Sequence, residues 1–185
     1  QHFNIEGLEV LKKARDQWVK IPSHEAYNLK MIIFALNNFQ KVVISAGCLK
    51  TNELKNLIKL IKSKKKFLKK AILLHCVSSY PLIAKNCNFD KFEYLKKELG
   101  KVGYSGHYDG VEDAIYAISK GACLVEKHFT TNKKLPGRDN KFALNEKQFK
   151  EVYSFKNLCS EFKLKKGINL QECEKDIIKN YRGRW

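Results

Sequence analysis

The sequence predicts an α/β fold in which helices cover a parallel sheet. Strand-like apolar runs alternate with helix-compatible stretches, and successive strand runs begin about 20–30 residues apart, the length of one strand–helix unit. The predicted strands are residues 17–22, 41–45, 71–76, 101–105 and 122–129. Strict alternation of this kind is typical of a parallel sheet, either an open doubly wound sheet or part of a (β/α) barrel.

The predicted helices carry apolar residues at intervals of three and four. In residues 51–61, Leu54, Leu57 and Ile58 fall on one face, and Thr51 is the expected N-cap. The other predicted helices are residues 5–15, 26–38, 91–99, 111–120, 146–162 and 171–181. Their positions between and after the strands fit a chain built from repeated strand–helix units.

The charge balance is strongly basic. The chain has 36 Lys and Arg against 19 Asp and Glu, a net charge of +17. Such an excess favours anionic partners, among them phosphate substrates, nucleic acid and anionic lipid. The densest lysine run, residues 62–70, is typical of a solvated helix end. No RNA- or DNA-binding motif accompanies it, so a basic nucleic-acid-binding domain is the minor alternative.

The cysteines indicate a reducing compartment. There are six, none in a CxxC pair, and Cys76 and Cys123 lie inside apolar runs, as small buried hydrophobic residues do. No apolar run approaches the roughly 18 residues of a membrane span. Residues 1–4 do not resemble a signal peptide. We therefore expect a cytoplasmic protein that makes no membrane contact, and a processed or trimmed chain or a fragment, since Gln1 stands where an initiator Met would.

Polar side chains lie at or just after the carboxyl-terminal end of every predicted strand. They are Lys20, Ser23, Ser45, Ser78, Ser105, His107 and His128. In parallel α/β folds this edge of the sheet is where active sites form. Because the pattern repeats at all the strands, it favours a functional site over chance placement.

Two histidines stand at or just after the carboxyl-terminal ends of the last two predicted strands. If those strands are neighbours, their carboxyl-terminal ends lie about 5 Å apart, which puts His107 and His128 within reach of one metal ion. Two neutral imidazoles with open coordination positions suit a divalent transition metal that acts as a Lewis acid. The alternative is that each histidine only satisfies a hydrogen bond in its loop.

An anion pocket is the second predicted feature. Lysine and hydroxyl groups on adjacent strand ends can bind phosphate or carboxylate oxygens, and the candidates are Lys20, Ser23, Ser45 and Ser105. Their alternative role is ordinary capping of the following helices. A Pro-Gly turn then places Arg138 and Asp139 over the mouth of the strands, where Asp139 can bind sugar hydroxyls or act as a simple turn residue.

At these residues the sequence resembles the family of N-acetylneuraminate (sialic acid) synthases and their legionaminic and pseudaminic acid relatives. The matching blocks read KIPS, ISAG, LLHCVSSYP, GYSGH and EKHFT, the last followed by the loop PGRD. They are residues 20–23, 44–47, 73–81, 103–107, 126–130 and 136–139. The blocks occur in the family's order and spacing and cover nearly the whole chain.

The resemblance implies a (β/α)8 TIM barrel and a transferase that uses phosphoenolpyruvate. C3 of phosphoenolpyruvate joins the aldehyde carbon of an N-acetylated amino sugar, N-acetylmannosamine or a related diacetamido sugar. Water then adds at C2, and phosphate leaves by C–O cleavage, which gives a nonulosonic acid in a carbohydrate biosynthesis pathway.

The resemblance also assigns roles to the candidate residues. His107 and His128 match the ligands of a divalent metal, usually manganese, which holds and polarises the sugar aldehyde. The groups that match phosphoenolpyruvate contacts are Lys20, Ser23, Ser45 and Ser105, with Ser78 beside them. Tyr80 and Asp139 match contacts to the acylamino sugar.

The resemblance covers about five of the eight strand–helix units of such a barrel. Residues 1–3 match the end of the family's third strand, and residues 174–185 match the close of the barrel. The catalytic acid/base glutamate, a further lysine and a C-terminal antifreeze-like domain are expected outside the matched region, and the full-length enzyme is expected to be a homodimer. We therefore expect residues 1–185 alone not to turn over substrate.

Gly106 departs from the family, which commonly has aspartate between this serine and histidine. Loss of a carboxylate next to a metal ligand can weaken metal binding about 10–100-fold. An inactive barrel segment with a scaffold or regulatory role is therefore a further alternative. A 3-deoxy-heptulosonate phosphate type of synthase is disfavoured by the Pro-Gly loop after His128.

Overall fold

The computed structural model describes residues 4–14, 17–165 and 167–183. Five parallel strands form one sheet in which each strand pairs with the next along the chain. The strands are β1 (Trp18–Ile21), β2 (Lys41–Ser45), β3 (Ala71–Cys76), β4 (Gly103–Gly106) and β5 (Val125–Lys127). Helices alternate with them, so the predicted α/β class and the strand–helix units of a partial (β/α) barrel are confirmed.

The sheet curves into about half a barrel. In a flat sheet, β1 and β5 would lie four strand spacings apart, about 19 Å. The side chains of Lys20 and Glu126, one on each of these strands, instead meet at 2.9 Å. Because the first and last strands face each other in this way, the carboxyl-terminal strand ends surround a common space.

Eight α-helices occur in the described residues. They are α1 (Ile5–Lys13), α2 (Leu29–Asn38), α3 (Thr51–Lys62), α4 (Lys65–Lys70), α5 (Phe89–Leu99), α6 (Glu112–Ser119), α7 (Glu146–Phe162) and α8 (Lys175–Tyr181). Short 3-10 turns cover Ser23–Glu25, Ala84–Asn86 and Glu172–Glu174. The lysine run spans the end of α3 and all of α4, and its lysines are largely exposed, as a solvated helix end requires.

Several predicted boundaries are wrong for local reasons. Thr51 is the first residue of α3 and not its cap; the cap is Lys50, whose N–H donates to the Glu53 carboxylate at 2.8 Å. The helix predicted from residue 26 begins at Leu29, because the Asn28 side chain caps it by accepting from Met31 N–H. Arg15, the predicted end of the first helix, lies outside the described residues, as do residues 1–3, 184 and 185.

The last strand is shorter than residues 122–129. After Lys127 the backbone leaves the sheet and pairs with a later loop, since Leu144 N–H donates to His128 O and Thr130 N–H donates to Leu144 O. The helix predicted over residues 171–181 is divided into the turn at Glu172–Glu174 and α8. The later loop returns the chain to the rim of the sheet before α7 begins.

The core lies between the sheet and the helices. Alternate strand residues point to opposite faces, so Val42 and Ile44 pack with Leu57 and Phe92 in the main cluster. On the inner face of the curved sheet, Val43, Ile72 and Leu74 form a smaller cluster. The two clusters hold the strands, and with them the strand ends, in fixed positions.

The cysteines are all free within the described chain. Cys76 is buried as predicted, but Cys123 is exposed because it lies in the turn before β5. None of the described helices has the length and hydropathy that a membrane span requires.

Candidate functional site

A cavity of about 480 Å³ opens at the carboxyl-terminal ends of the strands. Its walls contain all of the candidate residues identified from the sequence: Lys20, Ser23, Ser45, Ser78, Tyr80, Ser105, His107, His128 and Asp139. The cavity is also lined by Glu126, Arg138 and His24. The strand-end pattern in the sequence therefore corresponds to one place in the fold.

His107 and His128 stand side by side, with ring centroids 5.4 Å apart. They follow β4 and β5, which pair directly, so the predicted adjacency is correct. His107 is only 5% exposed, and its Nδ1 lies 3.1 Å from the carbonyl oxygen of Val77. This carbonyl needs a donor, so Nδ1 carries the proton and Nε2 keeps its lone pair. Burial lowers the pKa of His107, which keeps the ring neutral.

The predicted loop brings Asp139 to His128. Asp139 Oδ2 lies 3.7 Å from His128 Nδ1, with both side chains partly exposed. Within the described ranges, no cluster of three or more His, Cys, Asp or Glu side chains is arranged to hold a metal ion. The two imidazoles are neighbouring nitrogen donors in this cavity, and such a pair suits a divalent transition metal whose other positions are filled by oxygen ligands.

Two aromatic rings hold the imidazoles in place. The Tyr80 ring lies 4.2 Å from the His107 ring, and the Phe142 ring lies 5.2 Å from the His128 ring, measured between centroids. Phe142 is 4% exposed and comes from the loop that pairs with His128. The sequence reasoning missed it, because a phenylalanine before a helix carries no signal of its own. Burial raises the pKa of Tyr80, so its hydroxyl stays protonated.

Lys20 and Ser105 share one carboxylate. Lys20 Nζ lies 2.9 Å from Glu126 Oε1, and the Ser105 hydroxyl donates to the same oxygen at 2.8 Å. Glu126 begins the EKHFT block but had no predicted role. Strand periodicity could have found it, because Glu126 and His128 are two residues apart and point to the same side.

Three further serines line the same cavity, and two of them, Ser23 and Ser78, lie against Gly47. The Ser23 hydroxyl accepts a hydrogen bond from Gly47 N–H at 3.2 Å, and a Cβ on Gly47 would fall 2.6 Å from Ser23 Oγ and 2.4 Å from Ser78 Oγ. Only glycine allows this close approach. Ser45 Oγ is buried and has no hydrogen-bond partner among the described residues. An unsatisfied buried hydroxyl that lines a cavity is available to a ligand.

Comparison with known proteins identifies the family of this chain. The NeuB family model matches residues 1–163. The N,N'-diacetyllegionaminic acid synthase of Campylobacter jejuni is 30% identical over 162 residues, which are 87% of this chain and 47% of that protein. The N-acetylneuraminate-9-phosphate synthase of Drosophila melanogaster is 32% identical over 148 residues, 79% of this chain and 39% of that protein.

A solved structure of a related synthase has a similar fold. The N-acetylneuraminic acid synthetase of Leptospira borgpetersenii, in complex with citrate, superposes with a TM-score of 0.84 at 27% identity, over 99% of this chain and 64% of that one. The chain spans about half the length, or less, of the curated relatives that it matches. By the extent of the family match, the chain belongs to the NeuB family.

Proposed function

We propose that this chain carries the phosphoenolpyruvate and metal subsites of a nonulosonic acid synthase. The enzyme would condense phosphoenolpyruvate with an N-acetylated amino sugar and release phosphate. The observation that carries the proposal is that Lys20 and Ser45 share a cavity with His107 and His128. The cationic and hydroxyl side suits an anionic substrate, and the imidazole side suits the oxygen of an aldehyde under attack.

The anion subsite consists of Lys20 with the hydroxyls of Ser23, Ser45 and Ser105. Ser45 Oγ supplies a donor that has no other use within the described structure. Glu126 holds Lys20 and Ser105 in position, and a bound phosphate would compete with its carboxylate for the Lys20 ammonium. Ser78 lies at the edge of this subsite, within reach of the same oxygens.

The metal subsite would be formed by His107 through Nε2 and by His128. A manganese ion bound there would polarise the sugar aldehyde and orient it toward C3 of phosphoenolpyruvate. The carbonyl of Val77 fixes the tautomer of His107, and the aromatic rings of Tyr80 and Phe142 limit the rotation of both imidazoles. These residues therefore set the geometry in which the ligand nitrogens are presented.

The sugar subsite would lie at the rim, between Tyr80 and Asp139. Both line the cavity on the side of the imidazoles, and both are partly exposed. Asp139 can accept hydrogen bonds from sugar hydroxyls, and the Tyr80 ring offers an apolar face to an acetyl group. In the proposed reaction the C3–aldehyde bond forms first, water adds at C2, and phosphate leaves by C–O cleavage. We place this chemistry in the cytoplasm, in keeping with the free cysteines.

Calorimetric titration with phosphoenolpyruvate tests the anion subsite. We expect Lys20→Met to weaken binding about tenfold or more, because a charge-assisted bond to phosphate is lost. Lys41→Met is the matched control, since Lys41 Nζ donates to Lys69 O, near the amino-terminal ends of the strands. Equal effects of the two substitutions, or no binding by the unaltered chain, would favour the scaffold alternative.

Titration with manganese tests the metal subsite. We expect His107→Ala and His128→Ala each to abolish stoichiometric binding, because each removes one of two imidazole ligands. His24→Ala serves as the control, because His24 lines the same cavity outside the histidine pair. Binding that survives the loss of either paired histidine would contradict the assignment.

A further inference from the structure

Lys127 and Asp113 form an ion pair that is almost completely removed from solvent. Lys127 Nζ lies 2.9 Å from Oδ1 and 3.0 Å from Oδ2 of Asp113, and each side chain is 2% exposed. The same carboxylate accepts from the Tyr104 hydroxyl at 3.0 Å and from Ala114 N–H at 2.8 Å. A buried network in which every group is satisfied holds one geometry, and breaking it is costly.

The ion pair connects the two segments that carry the imidazoles. Lys127 is the last residue of β5 and directly precedes His128. Its ammonium also donates to the carbonyl oxygen of Tyr108, the residue after His107, at 2.8 Å. One ammonium therefore ties the backbone at His107 to the backbone at His128, and Asp113 anchors that ammonium to α6.

Gly106 leaves the space that the Asp113 carboxylate occupies. A Cβ on Gly106 would fall 2.2 Å from Asp113 Oδ2, far inside van der Waals contact. The family resemblance places an aspartate at this position, between Ser105 and His107. In this chain the Asp113 carboxylate, which comes from α6, occupies the space into which a side chain at position 106 on β4 would extend.

We propose that Asp113 is a positioning residue that substitutes for a carboxylate at position 106 and, through Lys127, fixes the relative position of His107 and His128. The consequence for the imidazoles rests on the proposed metal subsite. The replacement of a carboxylate at position 106 by that of Asp113 does not rest on the metal subsite. It depends only on the contacts of Lys127, Asp113 and Gly106.

Urea unfolding of four proteins tests the exchange: the unaltered chain, Asp113→Ala, Gly106→Asp and the double variant. Asp113→Ala lowers the urea midpoint, because Lys127 is left buried without its counterion. Gly106→Asp also lowers it in the unaltered chain, where two carboxylates would occupy one place. In the double variant, by contrast, Gly106→Asp raises the urea midpoint above that of Asp113→Ala alone. If Asp113→Ala alone does not fold, the double variant does.

Gly106→Asp is thus expected to lower the urea midpoint when Asp113 is present and to raise it when Asp113 is absent. This change of sign distinguishes replacement of the Asp113 carboxylate from simple steric crowding at position 106. A side chain at position 106 also meets the Tyr104 ring, at 2.5 Å from Cε1. That contact exists in both backgrounds and largely cancels in the comparison. If Gly106→Asp changes the urea midpoint equally with and without Asp113, the proposal that Asp113 substitutes for a carboxylate at position 106 is wrong.

Manganese titration of a second pair of variants tests the positioning role. Lys127→Met/Asp113→Leu replaces the ion pair with apolar groups and leaves no buried charge unpaired. We expect this variant to remain folded, with a lower urea midpoint because the buried Tyr104 hydroxyl loses its acceptor, and to bind manganese about 10–100-fold more weakly because the tie to Tyr108 is gone. Asp113→Asn, which keeps the shape of the side chain, is expected to weaken manganese binding to a smaller extent.

The outcomes separate this inference from the proposed function. If the double variant binds manganese as tightly as the unaltered chain, the ion pair is structural and does not position the imidazoles. If the unaltered chain binds no manganese, the proposed metal subsite fails, and the sign reversal at position 106 still decides whether Asp113 replaces the carboxylate.

Discussion

Lys20 and Glu126 stand on the first and last strands of the sheet, and their charged groups lie 2.9 Å apart across the cavity. The pair is a side-chain contact between the two edges of the half-barrel, beside the Ser105 hydroxyl. It also means that the cation proposed to bind phosphate has a carboxylate partner before any substrate arrives. At the proposed anion subsite, a phosphate that binds Lys20 would therefore displace the Glu126 carboxylate.

We expect Glu126→Gln to bind phosphoenolpyruvate about two- to fivefold more tightly than the unaltered chain. The amide keeps a hydrogen bond to Ser105 and removes the competing charge, and a partly exposed ion pair contributes about 0.2–1 kcal/mol. Titration with phosphoenolpyruvate measures the change, with Glu98→Gln as the control because Glu98 pairs with Lys62 on the outer helices. Weaker binding by Glu126→Gln would mean that the carboxylate assists the substrate and does not compete with it.

Substitution of Ser45 should affect ligand binding and folding stability differently. Its buried hydroxyl has no partner among the described residues, and an unsatisfied buried polar group costs about 1–3 kcal/mol. Ser45→Ala should therefore leave the free energy of unfolding unchanged or raise it, while phosphoenolpyruvate affinity falls about threefold to tenfold. Urea unfolding and titration on the same preparation give both values. A loss of stability would show that Ser45 has a structural role.

Gly47 is the position where an added methyl group should do most harm to the anion subsite. Its Cβ would fall within 2.6 Å of the hydroxyl oxygens of both Ser23 and Ser78, so Gly47→Ala must displace them. We expect phosphoenolpyruvate binding to be lost, with about 1–3 kcal/mol of destabilisation from overpacking. Gly100→Ala is the matched control, because Gly100 has a φ of +73° but no atom within 4 Å of an added Cβ.

The control should lose stability and keep binding. Alanine at Gly100 is strained by about 1 kcal/mol in the left-handed region, at the end of α5. If both substitutions weaken binding equally, the effect follows from reduced stability and not from the serine positions.

The 185-residue chain assayed alone should not release phosphate. The described strands form about half of a barrel, and the cavity stays open beyond β1 and β5. Water excluded in a closed site would enter here and compete for the metal and the aldehyde oxygen. Incubation with phosphoenolpyruvate, manganese and N-acetylmannosamine, followed by a phosphate assay, measures this. Sustained phosphate release that requires the sugar would prove the expectation wrong.

Residues whose location follows from strand position could be placed from the sequence, and residues whose location depends on tertiary contacts could not. Ser45 and His107 stand at strand ends, so periodicity alone placed them at one edge. Asp113 lies on α6, and its contact with Lys127 uses the space left at Gly106. Phe142 reaches His128 only because the backbone after Lys127 leaves the sheet for a later loop. Neither the contact of Asp113 with Gly106 nor that of Phe142 with His128 produces a recognisable pattern in the local sequence.

The burial of His75 should make the free energy of unfolding depend on pH. It is fully buried on β3, where Nε2 lies 2.7 Å from the carbonyl oxygen of Cys87 and Nδ1 has no partner among the described residues. The rings of Phe89 and Tyr104 pack within 6 Å of it, at 5.7 and 5.8 Å between centroids. Burial lowers the pKa of His75 from 6.5 to about 4, partly offset by the hydrogen bond to Cys87.

The sign of the pH effect follows from this depressed pKa. Above about pH 6.5 the ring is neutral in both the folded and the unfolded chain. Below that, the unfolded chain binds the proton first, so the free energy of unfolding falls as the pH drops toward 4. The full loss is on the order of 3 kcal/mol for a shift of this size.

Urea unfolding at pH 7, 6 and 5 measures the slope, and His75→Gln isolates the part due to His75. Burial also lowers the pKa of His107, so some acid sensitivity remains in the variant. We expect His75→Gln to be less stable at pH 7, because glutamine fills the site poorly, and to lose less stability between pH 7 and 5 than the unaltered chain. Identical slopes for the two proteins would mean that His75 does not stay neutral in the folded chain, because the depressed pKa is what couples folding to protonation.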